Sequence, residues 1–430
     1  MTVRATRPGV GANLRARVAA LVTLGVAGLV VARTAGAPGV GAFTLLRVLP
    51  WLTGLVMSNG VYAAAPFFLS GPDRGERRFR TTIPAMAVAA GLAGAALWAI
   101  ATPLFSDALF EGVPTTLITV AGVSVLTQLI ESTAKACSQG SDDLTGSNRV
   151  IVLEELVFLP WFGLLLLSGA GTYAAIVFAL PLGDLTTAII AWSRLWRRGY
   201  FDGAGRPSLH LAVQVSRFGL RAEVGSIMQT LNARLDFVLL AGLIGPKAVG
   251  LYAIASRYAE LLRLPALSLN YVLFPAFAGL GAAEARAETR KSLRRLWWTP
   301  LATAVPMALL APYVLPWVYG DEFGGSSGPA LVLLAGMSGV VVNGIVTAYL
   351  SGIGRPGLGS IATGVGLVIT VVLDLLLIPR FGVMGAAAAS TVTYLTTTAA
   401  LLVAFRQLGH GVPPVRTAPT APACMLPGAP

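Results

Sequence analysis

Chemistry in this chain is concentrated where it is least expected, inside apolar runs. The stretch "GSIMQTLNARLDFVLL" (Gly225–Leu240) places Ser226, Gln229, Asn232 and Asp236 at spacings of three, three and four, which puts them on one helix face. Arg234 lies on another face. The next apolar run carries Arg257, Glu260 and Arg263, each three apart. If the two runs form a hairpin turning near Pro246, depth matching pairs Asp236 with Arg257 and Arg234 with Glu260. It leaves Arg263 with no carboxylate at its level. Arg47 occupies nearly the place of Arg257 in an earlier run, and Glu131 sits in another. Glu131 reads either as a cation-coupling site or as the partner of Lys135, four residues on. These residue types bind and pair; they do not make bonds. The arginine fork grips anions bidentately and keeps its proton at neutral pH. The same pairs read equally well as structural locks of the hairpin. Catalysis has no support: His210 and His410 lie in loops, Cys137 and Cys424 are not spaced for a metal, and no phosphate-binding glycine loop is present. No cofactor is implied.

The surrounding composition says what must position these charges. Hydrophobic residues make up 55% of the 430-residue chain and charged ones 12%, against about 25% charged in a soluble domain. That excludes a soluble enzyme. It also removes nucleic acid as the meaning of the +12 net charge, because that reading needs a basic face on a soluble domain. Apolar runs long enough to cross a bilayer fall at 14–32, 41–69, 81–105, 113–134, 150–168, 172–193, 218–244, 248–278, 297–319, 329–351, 358–378 and 382–405. The first has an apolar core of 15 residues between Arg17 and Arg33, extended by snorkelling arginines. It reads as a first membrane helix and not as a cleaved signal, because many more apolar runs follow. Pro265 and Pro275 predict a kink or break in the longest run. With the N-terminus inside, 24 of the 31 Lys and Arg residues fall on the cytoplasmic side and three on the other. This asymmetry predicts both termini in the cytoplasm. The basic runs Arg194–Arg198 and Arg286–Arg295 are topology signals that also meet anionic lipid. Glu154 and Glu155 read as interfacial, and Asp184 and Asp374 as weaker site candidates, with Asp374 held near the outer surface by Arg380. The tail after Gly409, rich in Pro and Ala, reads as disordered.

The chain also repeats itself. "VVARTAGAPGVGAF" (Val30–Phe43) overlays "LLAGLIGPKAVGLY" (Leu239–Tyr252) at a shift of 209, matching Gly36 with Gly245 and Gly41 with Gly250. Pro66/Pro275, Asp107/Asp321, Gly140/Gly352 and Thr186/Thr396 follow in order at shifts of 209 to 214. The predicted fold is an all-α polytopic membrane protein with about 12 transmembrane helices in two six-helix lobes. Its domains are 1–209, 210–408 and the tail 409–430. Six is even, so the lobes form a parallel repeat about an axis along the membrane normal. They would enclose a central cavity that opens by rocking.

Two segments carry a family resemblance. "LDFVLLAGLIGPKAVGLYAIASRYAELLRLPALSLNYVLFPAFAGL" and "GIGRPGLGSIATGVGLVITVVLDLLLIPRFGVMGAAAASTVTYL" resemble the polysaccharide and lipid-linked oligosaccharide flippases of the multidrug/oligosaccharidyl-lipid/polysaccharide exporter superfamily. The resemblance is specific over Gly219–Arg406 and collinear but looser before that. It implies two lobes in a V around a cavity, in the plasma membrane. It also implies transfer of a polyprenyl-pyrophosphate-linked oligosaccharide from the inner to the outer leaflet, for cell-surface polysaccharide synthesis. The implied partners are this anionic glycan lipid, the membrane lipids, and a glycan polymerase or glycosyltransferases; the protein itself is expected to be a monomer. On that reading Arg47, Arg234, Arg257, Arg263, Gln229 and Asn232 bind substrate, with Arg263 the foremost phosphate ligand. Asp236, Glu260 and Glu131 serve coupling or ion pairing.

Other classes are distinguishable. A cation-coupled drug exporter of the same superfamily would offer an acidic cavity, whereas the residues expected to face the cavity from the seventh and eighth spans are three arginines (Arg234, Arg257, Arg263) and two acids (Asp236, Glu260). A major-facilitator transporter would carry G-x-x-x-D-R-x-G-R-R after its second helix; here "GPDRGERRF" is too short between Gly71 and Asp73. A membrane scaffold for a polymerase would transport nothing.

Overall fold

The computed structural model describes the backbone of residues 7–70, 76–263, 282–296, 298–352 and 356–407. The tail, the loop at 71–75, Pro265 and Pro275 lie outside the described residues, as do the side chains of Arg263 and Ser226. Helix α1 (Arg7–Met57) makes the first two passes. Its backbone leaves helical values at Gly36 (φ 63°, ψ −167°), so two helices meet at a kink with no loop between them. The second pass finishes in α2 (Val61–Ser70). Next come α3 (Phe79–Leu109), α4 (Thr115–Ala121) with α5 (Val123–Gly140), α6 (Leu144–Leu156) with α7 (Phe158–Leu167), and α8 (Thr172–Arg197). The second lobe holds α9 (Leu209–Leu243), α10 (Pro246–Glu260) with the 3₁₀ turn Leu261–Arg263, and the strongly charged α11 (Ala282–Leu296). It ends with α12 (Trp298–Tyr319), α13 (Ser327–Gly352), α14 (Pro356–Phe381) and α15 (Val383–Gln407).

Nine helical stretches among the described residues are long and apolar enough to cross a membrane, and the first of them contains two passes. Helices α9 and α10 fall outside this set: α10 has 15 residues, and α9 carries Arg217, Arg221, Glu223, Arg234 and Asp236. Adding them gives twelve passes in two six-helix lobes. Three sequence expectations need correction. The first helix starts by Arg7 and runs on to the Gly36 kink, so its short apolar core is only its middle. The run 41–69 is broken, because Asn59 (φ 50°) and Gly60 (φ 79°) turn the chain out of helix. Helix α9 begins at Leu209, nine residues before the apolar run at 218, since helical hydrogen bonding continues beyond the hydrophobic part.

The lobes cross at the face opposite the N-terminus, where α1 meets α10. A Cβ on Gly41 would run into the Pro246 carbonyl oxygen, and one on Gly250 into the Ala37 carbonyl oxygen. The same added atoms would stand 3.2 Å from the Gly250 amide nitrogen and 3.1 Å from that of Gly41. Ala37 and Pro246, like Gly41 and Gly250, are 209 apart, so the crossing lies on the pseudo-twofold axis. Around it, Glu322 accepts from the Ala37 amide (3.1 Å), and Arg33 donates to the Trp317 and Val318 carbonyls (2.5 and 2.9 Å). Toward the N-terminal face the lobes meet again. There Gly60 packs directly on Gly219, and the Ser58 hydroxyl donates to the buried Glu223 carboxylate (2.9 Å).

One polar cluster fixes the first lobe at its N-terminal face. Asp143 caps α6, accepting from the Gly146 amide (3.0 Å), and it receives the Arg194 fork at 2.8 and 3.0 Å together with Arg198. Partial burial works to raise this carboxyl's pKa, but the bonds from Arg194, Arg198 and Gly146 outweigh it and hold it below the ordinary carboxylate value. A depressed pKa contributes stability that is present above the unfolded value, about 3.9, and is lost as pH falls toward the folded one. Asp143→Asn is therefore expected to lower the thermal midpoint at neutral pH. Hydrogen bonds to a charged group are worth about 1.5–3 kcal/mol. The gap from wild type should narrow as pH drops below about 4, measured by thermal unfolding in detergent across pH. A gap that stays constant with pH would show that the carboxylate charge contributes nothing.

Candidate functional site

A cavity of about 600 Å³ lies between the first lobe and helices α9 and α10. Five basic residues (Arg17, Arg47, Lys135, Arg234, Arg257) and five acidic ones (Glu131, Glu154, Glu155, Asp184, Glu260) line it. A membrane protein tolerates that many charges at depth only when they face water or one another, since each costs about 2.5–3.5 kcal/mol at the helix centre. Most here are paired. Arg47 bonds Glu155 at 2.7 Å, Lys135 bonds Glu154 at 2.5 Å, and Arg234 stands 3.7 Å from Glu260. Asp184 accepts from Thr127 at 3.1 Å.

Arg257 is different. Its Nη1 is buried and has no hydrogen-bond partner among the described residues. The guanidinium packs against Gly28 of α1, where a Cβ would collide with Nη1. Arg47 and Arg257 each place Cζ 5.6 Å from the ring centroid of Phe43, so one fully buried ring holds two cations by its π face. Phe43 is itself fixed by α7, its centroid 4.8 Å from that of Phe158. The lobes thus contribute one arginine each to a single cationic centre, with a donor left over.

The structure brings together Arg47, Arg234, Arg257, Glu260 and Glu131, and it separates the rest of the expected set. The pairing of Arg234 with Glu260 follows the depth argument. The pairing of Asp236 with Arg257 does not occur: Asp236 turns away from the cavity and accepts from the Tyr252 hydroxyl (2.5 Å), while Ser390 lies 3.4 Å away. Asn232 likewise accepts from Thr370 (2.9 Å), which reaches on to Thr393 (3.0 Å). The polar stripe of α9 therefore knits α10, α14 and α15 together inside the second lobe, as buried polar groups in a bundle do. Neither Asn232 nor Gln229 lines the cavity; Arg234 and Phe237 do. Glu131 is not the partner of Lys135, which Glu154 takes. Glu154 and Glu155 are cavity residues and not interfacial ones. Asp374 is fully buried, and neither carboxylate oxygen has a hydrogen-bond partner among the described residues, so Arg380 does not hold it at a surface. The Arg263 side chain lies outside the described residues. Phe43 and Gly28 were missed altogether. Their types are ordinary in an apolar helix, and only the approach of Arg257 distinguishes them. Among the described residues, no group of three or more His, Cys, Asp or Glu side chains is arranged to hold a metal ion.

Comparisons with known proteins bear on the family and the fold. The sequence model of a family described as polysaccharide biosynthesis protein matches residues 68–327. A probable low-salt glycan biosynthesis flippase of Haloferax volcanii is 22% identical over 241 residues, 55% of this chain and 50% of that one. The chain spans half or less of the length of the curated relatives it matches. Among solved structures, the lipid II flippase MurJ in an inward closed conformation superposes with a TM-score of 0.77 at 11% identity, covering 93% of this chain and 88% of that one. An inward-facing multidrug resistance MATE transporter of the MOP superfamily gives 0.72 at 14% identity, covering 92% and 94%. At these identities the likeness establishes the fold.

Proposed function

Because the chain belongs to the polysaccharide biosynthesis protein family, a flippase and transporter lineage of the MOP type, we propose that it carries a polyprenyl-pyrophosphate-linked oligosaccharide from the inner to the outer leaflet. The observation that carries this reading is the buried Arg257 Nη1 without a partner, beside Arg47 on the same ring, inside a cavity between the lobes. A buried guanidinium donor without an acceptor gains a hydrogen bond by donating to an anion, and a pyrophosphate presents several oxygens to the arginine forks. The sugar would occupy the wet, charge-paired part of the cavity and the lipid tail would remain in the bilayer. The basic loops would lie in the cytoplasm with both termini, in the plasma membrane, and the halves 1–209 and 210–408 would rock about the Gly41/Gly250 crossing. Arg263 would add a third cation.

One observation favours a second reading. Four acids from the first lobe line the cavity, so its formal charge is balanced and not cationic as the seventh and eighth spans alone suggest. A cation-coupled exporter of small molecules would use such acids. Vesicles carrying the purified protein and a labelled polyprenyl-pyrophosphate sugar separate the two. The flippase reading expects label in the opposite leaflet far faster than in protein-free vesicles, and slower transfer by Arg263→Ala. Wild-type transfer no faster than in protein-free vesicles, together with efflux of a cationic dye under a proton or sodium gradient, would reject it in favour of the exporter.

A further inference from the structure

Outside the cavity, the first lobe carries a second charged feature, at the face bearing the N-terminus. A groove of about 410 Å³ runs between α6 and α8. Arg149, Arg194, Arg197 and Arg198 line its mouth, Leu153 and Ile190 line its apolar part, and no acidic residue lines it. The one carboxylate attached to the cluster is Asp143, which engages Arg194 and Arg198 from the side and stiffens them. Arg149 and Arg197 are exposed and make no ion pair among the described residues. Ile190 is 44% exposed and the neighbouring Trp196 71%. In a membrane, such an apolar wall meets lipid tails, while a tryptophan beside arginines marks the headgroup level.

We infer that this groove is a binding site for one anionic phospholipid of the leaflet nearest the N-terminus. Its phosphate is held by Arg149 and Arg197, with Arg194 behind them, and one acyl chain lies along Leu153 and Ile190. Charge complementarity selects the occupant. Four guanidiniums over an apolar floor match a headgroup with net negative charge, and a zwitterionic lipid would bring an ammonium into the same ring. The α6 N-terminus nearby adds a partial positive charge. Basic pockets between helices at this level of a membrane take anionic headgroups on these grounds. The inference concerns a groove that shares helices α6 and α8 with the cavity but none of its lining residues, and it stands whatever the protein transports.

Native mass spectrometry of the full-length protein tests it, with phosphatidylglycerol or phosphatidylcholine titrated into the micelles. Wild type is expected to retain one phosphatidylglycerol more tightly than any phosphatidylcholine. Arg149→Gln/Arg197→Gln should weaken that lipid roughly thirtyfold, the effect of two interfacial arginines. Arg290→Gln/Arg294→Gln on α11 removes the same charge elsewhere and should leave it bound. Ile190→Trp, which fills the groove floor and keeps every arginine, should also displace it, so the test holds if the double variant fails to fold. The proposal is overturned if phosphatidylcholine binds equally or if the α11 variant loses as much lipid as the groove variant. It is also overturned if inorganic phosphate alone gives the same protection against thermal unfolding as the lipid.

Discussion

Replacing Arg257 by glutamine is expected to raise the protein's thermal midpoint while slowing lipid-linked sugar transfer about tenfold or more. The two signs have one cause. The buried guanidinium has a donor with no acceptor, and holding a charge at that depth costs about 2.5–3.5 kcal/mol. A neutral amide of smaller volume relieves that cost and the tight fit against Gly28. If the proposed flippase function holds, the same change also removes a charge-assisted bond to the substrate's phosphate, worth about 1.5–3 kcal/mol, and a factor of ten is about 1.4 kcal/mol. Arg47→Gln provides the contrast, since it strands Glu155, whose carboxylate is bonded to Arg47 at 2.7 Å. Breaking one side of a fully buried pair costs about 3–5 kcal/mol; this pair is partly buried, so the variant should lose less stability than that, and transfer with it. Thermal unfolding by tryptophan fluorescence, run beside the vesicle assay, reads both quantities. If Arg257→Gln behaved like Arg47→Gln, Arg257 would be a structural residue and the anion site would have to be sought elsewhere.

Alanine at Gly41 or at Gly250 is expected to break the closed crossing of the lobes. Each added methyl would collide with a backbone carbonyl of the other helix, and backbone cannot swing aside as a side chain can. Overpacking of this kind costs about 1–3 kcal/mol in a well-packed core. Here the protein has a cheaper escape, which is to open the crossing. Either variant should therefore populate a conformation with α1 and α10 apart. Disulfide trapping between cysteines introduced at Ala37 and Pro246 reports this directly: efficient in the background with both glycines intact, and lost with Gly41→Ala or Gly250→Ala. Equal trapping in all three would mean that the helices shift along each other without separating.

Much of the frame was legible in the sequence because it follows from counting. Twelve apolar runs, a near-halfway shift and a basic asymmetry need no side-chain geometry. Span ends were less legible: hydropathy reports where lipid is, and helices such as α9 continue past it into polar sequence. The site divided along the same line. Depth matching places Arg234 opposite Glu260, since depth is set by a fixed rise per residue. Which way a helix faces is not so set. Asp236 and Asn232 share a polar stripe, yet that stripe faces α10, α14 and α15, where hydroxyls of Tyr252, Thr370 and Ser390 meet it. Threonine and serine in an apolar run are too common to be recognised beforehand as its partners. Glu154 and Glu155 follow the same pattern: their place near a span end predicts exposure, but Arg47 and Lys135 reach them from neighbouring helices.

The crossing at Gly41 and Gly250 has a consequence for ancestry. Each partner gives the other what it receives: Gly41 sits on the carbonyl of residue 246 as Gly250 sits on that of residue 37. Such reciprocity is the mark of an isologous contact, the kind that joins two identical subunits across a twofold axis. The surface is self-complementary, so a single lobe carries what a second copy of itself would need to meet it in the same way. Fusion of two such lobes would add only the connection through residues 198–208, which takes no part in the crossing. What fusion allows is divergence, so that one lobe supplies Arg47 with its carboxylate and the other Arg257 without one.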